Sequence, residues 1–369
     1  MNLDRAAGSL LGASCGDAMG VPVEFTSPTP ADFPKVFYRE HFQMRGFGTH
    51  HTFPGMISDD THLAICLAES LCDSGLEEPL DPTGTAKRYL AWRAHTFDCG
   101  GQTASSLSDF QRTQDGLDCG RGNWEKSKGS AANGSLMRAY PIGVWFQDPG
   151  QVVENSMADS AITHFDPRCQ IACAAYNNAI SEVIYGCDAD EDLPSRIALM
   201  VEAAIGGTLN AGLHWFNQYP EFQIEGLKAT EDILRDIRMS AYSDPEMYGK
   251  DVGISGYACG FVRTAFRLAM WMLRHAPTYE SAIGAVICLG HDSDTNAAIV
   301  GGLLGARDGI KAIPEDWLAT VRGALKDKKY GRFSPELATT YHPDRFDRMI
   351  EILEKHYSEE IKAATKSAK

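Results

Sequence analysis

Apolar residues recur at three- and four-residue spacing along most of the chain, the period of a helix that buries one face. Ala6, Ala7, Leu10 and Leu11 predict a first helix, and Leu63, Leu67 and Leu71 with Ala64 and Ala68 a second. Ala172, Ala175, Tyr176, Ala179, Ile180 and Val183 form a third stripe. Asp166-Pro167 opens it, with a carboxylate to cap orphan amides and a proline whose fixed φ suits the first helical position. Ile197, Met200, Val201, Ala204 and Ile205 continue the pattern. It returns from Tyr257 to Leu273, at Ile283, Val286 and Ile287, from Ala297 to Ala306, and at Phe346, Met349, Ile350 and Leu353. Period-two alternation is scarce, so the expected fold class is all-α with no substantial sheet.

Three stretches, 21–57, 98–135 and 206–224, are rich in Gly, Pro, Ser, Asn and aromatics and are expected to be long loops, which in a compact domain are usually functional. Neither an internal repeat nor a low-complexity linker divides the 369 residues. One domain is therefore expected over 1–361, followed by a flexible Lys/Ala-rich tail at 362–369.

Composition then excludes some functions. A net charge of −15 argues against nucleic acid as a partner, because binding a phosphate backbone demands a basic surface. A small anionic ligand still fits a pocket built on helix N-termini and one or two arginines. The ten cysteines are irregularly spaced, with no CxxC pair, and read as small buried hydrophobes in a reducing compartment. No secretory signal and no apolar window of about 18 residues is present, so no membrane is expected and the cytoplasm is the expected location.

The chemistry concentrates in two motifs. Ser58-Asp59-Asp60-Thr61 precedes the Leu63/Leu67/Leu71 stripe, and Gly290-His291-Asp292-Ser293-Asp294-Thr295 precedes the Ala297–Ala306 run. Each alone is what helix capping produces, since Asp, Ser and Thr satisfy orphan amides at a helix start. Capping needs only one oxygen, however, and each motif supplies several beside a helix with almost no polar face. Four buried carboxylates repel one another and call for counter-charge, and an all-oxygen donor set selects hard cations, Mg²⁺ or Mn²⁺. The following Ala298, Gly301, Gly302 and Gly305 leave one helix face nearly bare; this is either a packing preference or a surface for close approach of another backbone.

With these motifs in place the chain resembles the ADP-ribosylglycohydrolase family, whose founding members reverse mono-ADP-ribosylation of arginine, including that on dinitrogenase reductase. The resemblance rests on GSLLGASCGDAMGVPVEF from Gly8 to Phe25, Ser58 to Thr61, NGSLMRAYP from Asn133 to Pro141, Thr163-His164, Gly256-Tyr257, and GHDSDTNAAIVGGLLGA from Gly290 to Ala306. It implies a compact orthogonal bundle of many helices around a binuclear metal site. One of two divalent cations would be held by Ser58, Asp59 and Asp60, sharing Asp294 with a second that also takes Asp292 and Thr295. His291 stands where the family often has a second glycine, either as a partner to a ligand carboxylate or as a spectator.

The resemblance also assigns roles around the metals. Glu24 matches an acid that contacts substrate or water, whereas Asp17 reads as a turn residue by its own sequence context. Asp98 resembles the acid that arginine-specific members place near the scissile ribose, with one residue more before Gly-Gln-Thr than the family pattern. Asp60, Asp294, Asp98 and Glu24 are thus the expected catalytic acids. Gly101, Gln102, Thr103, Asn133, Gly134, Ser135, Met137, His164 and Tyr257 are the expected substrate-binding residues, Arg138 being as well suited to a structural role. The implied substrate is an ADP-ribosylated protein or ADP-ribose itself. Rival readings are an immunity protein that also binds a cognate ADP-ribosyltransferase toxin through Phe33–Phe47, a catalytically dead relative, which the intact acidic motifs oppose, and an HD-type phosphohydrolase, which lacks the upstream histidines.

Overall fold

The computed structural model describes residues 1–26, 43–76, 78–127, 130–186, 192–211, 220–240, 259–327 and 329–367. Among them are fifteen α-helices. They are α1 (Leu3–Gly20), α2 (Asp59–Ser74), α3 (Pro82–Trp92), α4 (Gly101–Thr113), α5 (Asp118–Lys126), α6 (Tyr140–Trp145), α7 (Pro149–Thr163) and α8 (Pro167–Ser181). There follow α9 (Leu193–Ala211), α10 (Pro220–Ser240), α11 (Val262–His275), α12 (Tyr279–Leu289), α13 (Ser293–Asp308), α14 (Glu315–Gly323) and α15 (Phe346–Ser367). Extended pairing among the described residues is limited to two isolated bridges, Phe47 with Thr52 and Ala132 with Phe261. The all-helical expectation holds, and no described helix is long and apolar enough to cross a membrane.

The axis of the molecule is the packing of α1 on α13. Gly8, Gly12, Gly16 and Gly20 recur every fourth residue along α1 and meet Gly305, Gly301, Ala297 and Asp294 of α13 backbone to backbone. A Cβ on Gly16 would lie 2.0 Å from the Ala297 carbonyl oxygen, and one on Gly305 2.0 Å from that of Gly8. The bare face of α13 is therefore a close-approach surface. Two buried tyrosines brace the pair from the sides, Tyr279 donating to the Gly12 carbonyl at 2.7 Å and Tyr176 to that of Ile299 at 2.7 Å. This contact brings the C-terminal end of α1 against the N-terminal start of α13.

The loop expectation for 98–135 is overturned by α4 and α5. In α4 the buried positions are Thr103, Ser106, Leu107 and Phe110, a helical stripe half made of hydroxyl residues, so hydropathy conceals the period. Ser106 donates to the Thr163 carbonyl at 3.0 Å, which satisfies its hydroxyl inside the protein. In α5 a glycine that reads as a turn is a helix contact, since a Cβ on Gly120 would come within 2.1 Å of the Ala161 carbonyl oxygen of α7. Likewise 206–224 is entered by α9 as far as Ala211 and left by α10 from Pro220. The last helix runs to Ser367, across most of the stretch read as a tail.

Candidate metal centre

Both acidic helix starts converge on one point. Asp17, Asp60 and Asp294 bring carboxylate oxygens within 4.8 Å of one another, and so do Glu24, Asp292 and Asp294. Asp294 belongs to both groups. All of these carboxyls are buried, as is that of Asp59.

Asp17 is a brace. Its two oxygens accept from the Ser58 amide at 2.9 and 3.0 Å, and the Oδ2 also from the Thr61 amide and hydroxyl at 3.2 and 2.6 Å. It thus ties the end of α1 to the start of α2 and has little lone-pair capacity left for a cation. Ser58 in turn donates to Asp60 Oδ2 at 2.8 Å. The Asp60 Oδ1 is buried without any hydrogen-bond partner, an orphan that a cation would satisfy. Asn133 donates to Asp292 Oδ2 at 2.6 Å, and Ser293 pins the α13 start to the Gly20 carbonyl at 3.0 Å.

Burial raises every one of these carboxyls. Asp17 is pushed up to about 7 against the donors from Thr61 and Ser58, and Asp292 up to about 6 against Asn133. Asp59, Asp60 and Asp294 are raised well above the ordinary range by burial, with Asp98 next for Asp59, Asp17 for Asp60 and Asp60 for Asp294. Among the described residues no lysine or arginine pairs with Asp59, Asp60, Asp292 or Asp294. An all-oxygen set with surplus negative charge and an unmatched lone pair fits divalent cations.

A pH dependence follows. With unfolded carboxyls near 4, the unfolded chain has released protons that the folded, metal-free chain still holds. Stability of the metal-free protein therefore falls as pH rises from about 4 through the raised values of these carboxyls, about 6 for Asp292 and about 7 for Asp17 among them. Urea midpoints measured in chelator at pH 5 and pH 8 are expected to show the loss, and Mg²⁺ or Mn²⁺ to remove it. A metal-free protein as stable at pH 8 as at pH 5 contradicts the cluster's electrostatics.

Around the cluster, the other predicted residues fall into three groups. Asp98 lies half-buried on the rim, and the neighbouring Gly100 amide donates to Asp59 Oδ2 at 3.3 Å. Gly101 and Gln102 begin α4; Gly101 faces open space, and Gln102 accepts from Ser130 at 3.3 Å. Thr103 is buried and its hydroxyl faces Gly134.

The Asn133 to Met137 turn is held from beneath by Arg138. That buried guanidinium donates to Asp159 at 3.1 Å, to Thr163 at 2.8 Å and to the Gly134 carbonyl at 3.3 Å, and stacks 4.5 Å over Tyr89. Arg138 is thus structural. The Ser135 hydroxyl accepts from Ser160 at 2.9 Å and is directed inward. Met137 contributes its sulfur to the Thr295 hydroxyl at 3.9 Å.

His164 lies against Gly134, where a Cβ would come within 2.9 Å of its ring. Burial holds the imidazole well below its ordinary pKa, hence neutral. The Thr163 hydroxyl, which accepts from Arg138 at 2.8 Å, also meets His164 Nδ1 at 2.8 Å, so the ring's Nδ1 is engaged and its Nε2 lies beside Gly134. Tyr257 lies outside the described residues.

One feature was not singled out in the sequence. His50, within the turn-rich 21–57 stretch, meets Glu24 at 2.5 Å. His291 has φ +60, which explains why glycine suits that position, and it exchanges backbone hydrogen bonds with the Glu24 segment, accepting from the Phe25 amide at 2.6 Å and donating to the Thr26 carbonyl at 2.8 Å.

Fold and site together define an all-helical protein with a buried acidic centre suited to divalent cations. A sequence profile of the ADP-ribosylglycohydrolase family matches residues 1–347, and the chain belongs to that family. Its chemistry is hydrolysis of ADP-ribosyl glycosidic bonds, and the family is generally dependent on divalent metal. The chain is 27% identical to the ADP-ribosylarginine hydrolase Tri1 of Pseudomonas putida, over 86% of this chain and 74% of that one. It is 25% identical to the ADP-ribosyl-dinitrogen reductase glycohydrolase of Rhodospirillum rubrum, over 86% of this chain and 90% of the relative. A solved structure titled ADP-ribosylglycohydrolase-related protein complex superposes with a TM-score of 0.63 at 25% identity, covering 88% of this chain and 94% of the other.

Proposed function

We propose that the chain is a metal-dependent hydrolase that releases ADP-ribose from modified arginine side chains of proteins. The observation that carries this reading is the half-exposed Asp98 at the rim of the buried centre, with Glu24 beside it and both carboxylates facing His50 Nε2. Such an acidic mouth suits a guanidinium, which stays cationic at any physiological pH and pairs well with carboxylates.

Asp59, Asp60, Asp292 and Asp294, with the hydroxyls of Ser58 and Thr295, would hold two cations, Mg²⁺ or Mn²⁺. When bound, such ions orient ribose hydroxyls and make hydroxide available near neutral pH. The chain's own side chains do the rest. Cleavage of an N-glycoside develops positive charge at the anomeric carbon, which the surrounding carboxylates stabilise. Asp98 receives the departing guanidine, and Glu24 manages the proton of the attacking water. The His164 ring and the Gly134 turn hydrogen-bond to the ADP-ribose, while Gly101, Gln102 and Thr103 present the N-terminus of α4 to its phosphates. The rival reading, immunity against a toxin, relied on Phe33–Phe47, of which 33–42 lie outside the described residues.

The test is release of ADP-ribose from arginine-modified and serine-modified proteins, with Mg²⁺, Mn²⁺ or chelator. The expected result is cleavage of the arginine linkage that chelator stops. Asp98→Ala is expected to bind metal as the wild type does in calorimetry while kcat falls by about 100-fold or more. Metal-independent cleavage, or a wild type that acts on the serine linkage alone, overturns the proposal.

A further inference from the structure

Three consecutive residues in a short closed turn grip the Glu24 segment. The turn is pinned by paired backbone hydrogen bonds, the Phe47 amide to the Thr52 carbonyl at 2.6 Å and the Thr52 amide to that of Phe47 at 3.1 Å. Gly48, at φ +62, lies so close to Pro22 that a Cβ would stand 1.8 Å from its carbonyl oxygen. Thr49 donates its hydroxyl to the Glu24 carbonyl at 2.6 Å. His50 then reaches the Glu24 carboxylate, Nε2 to Oε2 at 2.5 Å, and stands 3.9 Å from Asp98 Oδ2. Its ring packs on Phe97 with centroids 5.6 Å apart, and its carbonyl accepts from Arg332 at 2.6 Å.

One imidazole nitrogen therefore meets both of the acids to which the proposed hydrolysis gives a role. So placed, the Glu24 carboxylate also lies within 4.8 Å of oxygens of Asp292 and Asp294, between the mouth and the buried centre. Without the imidazole it would be free to turn wholly to that centre and leave Asp98 alone on the rim.

We propose that His50 is a positioning residue for the hydrolysis, which holds the Glu24 carboxylate towards Asp98 at the mouth of the site. The proposal rests on the hydrolytic reading and is independent of which acceptor carries the ADP-ribose. The turn's backbone contacts fix where the imidazole stands, and the imidazole fixes where the carboxylate stands.

Three variants of the full chain separate this role from a packing role. His50→Ala removes both the hydrogen bond and the ring. His50→Phe keeps a ring against Phe97 without the donor, and His50→Gln keeps an amide donor that reaches Glu24. An ångström-scale displacement of a catalytic group costs on the order of 100-fold, so kcat is expected to fall by about that factor in His50→Ala and in His50→Phe. KM is expected to stay within about threefold of wild type in both, with Mn²⁺ affinity and melting temperature preserved, and His50→Gln is expected to recover about tenfold of the lost rate. The proposal is overturned if His50→Phe turns over like the wild type, if His50→Gln is no better than His50→Ala, or if lost activity tracks lost metal binding or a lowered melting point. Wild-type rates on arginine-linked and serine-linked substrates are read in the same series. An error in the acceptor shows as a changed wild-type preference, and an error about His50 as a lack of separation among the variants.

Discussion

Gly16→Ala is expected to lower the melting temperature of the protein by several degrees or more. Its new methyl would lie 2.0 Å from the Ala297 carbonyl oxygen and 2.5 Å from the carbonyl carbon, positions that only backbone movement relieves. The obstructing atoms belong to α13, which is held from the side by Tyr176, so it does not yield without breaking other contacts. Overpacking a core costs about 1–3 kcal/mol where side chains adjust, and a rigid backbone obstruction belongs at or beyond the top of that range. Against a net stability of about 5–15 kcal/mol, such a loss removes a large share. Gly323→Ala is the control, since a Cβ there meets nothing within 4 Å and alanine favours the helix by up to about 1 kcal/mol. Thermal melting of both variants decides the matter; Gly16→Ala melting within about 2 °C of wild type would refute the close-approach packing.

Asp294→Asn is expected to abolish metal binding and turnover and yet to stabilise the metal-free protein. The side chain is shared by both carboxylate groups, and its carboxyl is held well above the ordinary range by burial first and by Asp60, Glu24 and Asp292 after it. An amide of the same shape keeps the packing and removes one ionisable group from a cluster without counter-charge. Replacing an uncompensated buried charge gains of order 1–3 kcal/mol. The gain belongs at pH 8 and shrinks at pH 5, where the wild-type carboxyls already hold protons. Urea unfolding in chelator at the two pH values, beside calorimetric titration with Mn²⁺, gives both halves of the result. A metal-free variant less stable than metal-free wild type at pH 8 would mean that the carboxylates are not the strained element of this fold.

The acidic residues themselves were legible because they stand at helix starts, where several oxygens beside an apolar stripe exceed what capping requires. Helices α1, α2, α8, α9, α12, α13 and α15 were legible for a similar reason: each carries enough aliphatic residues at helical spacing for the period to survive in composition. The helices α4 and α5 were not, since Thr103 and Ser106 bury hydroxyls that bond inside the protein and Gly120 serves a helix contact. Asp17 looked like a turn residue and proved to be the tie between α1 and α2. Nothing in the spacing of His50 marked it, because it acts from a loop on a residue that is distant along the chain.

The sequence by itself determined the helical class, the family and the two acidic motifs, all of which are written in local periodicity and residue type. Only the tertiary structure decided that α1 lies on α13 at glycine distance, that Asp17 braces the cluster while Asp60 keeps an unmatched oxygen, and that Glu24, His50 and Asp98 share one mouth. The physical reason is that burial and like-charge proximity arise when distant segments meet, and a residue's neighbours along the chain carry no record of that meeting.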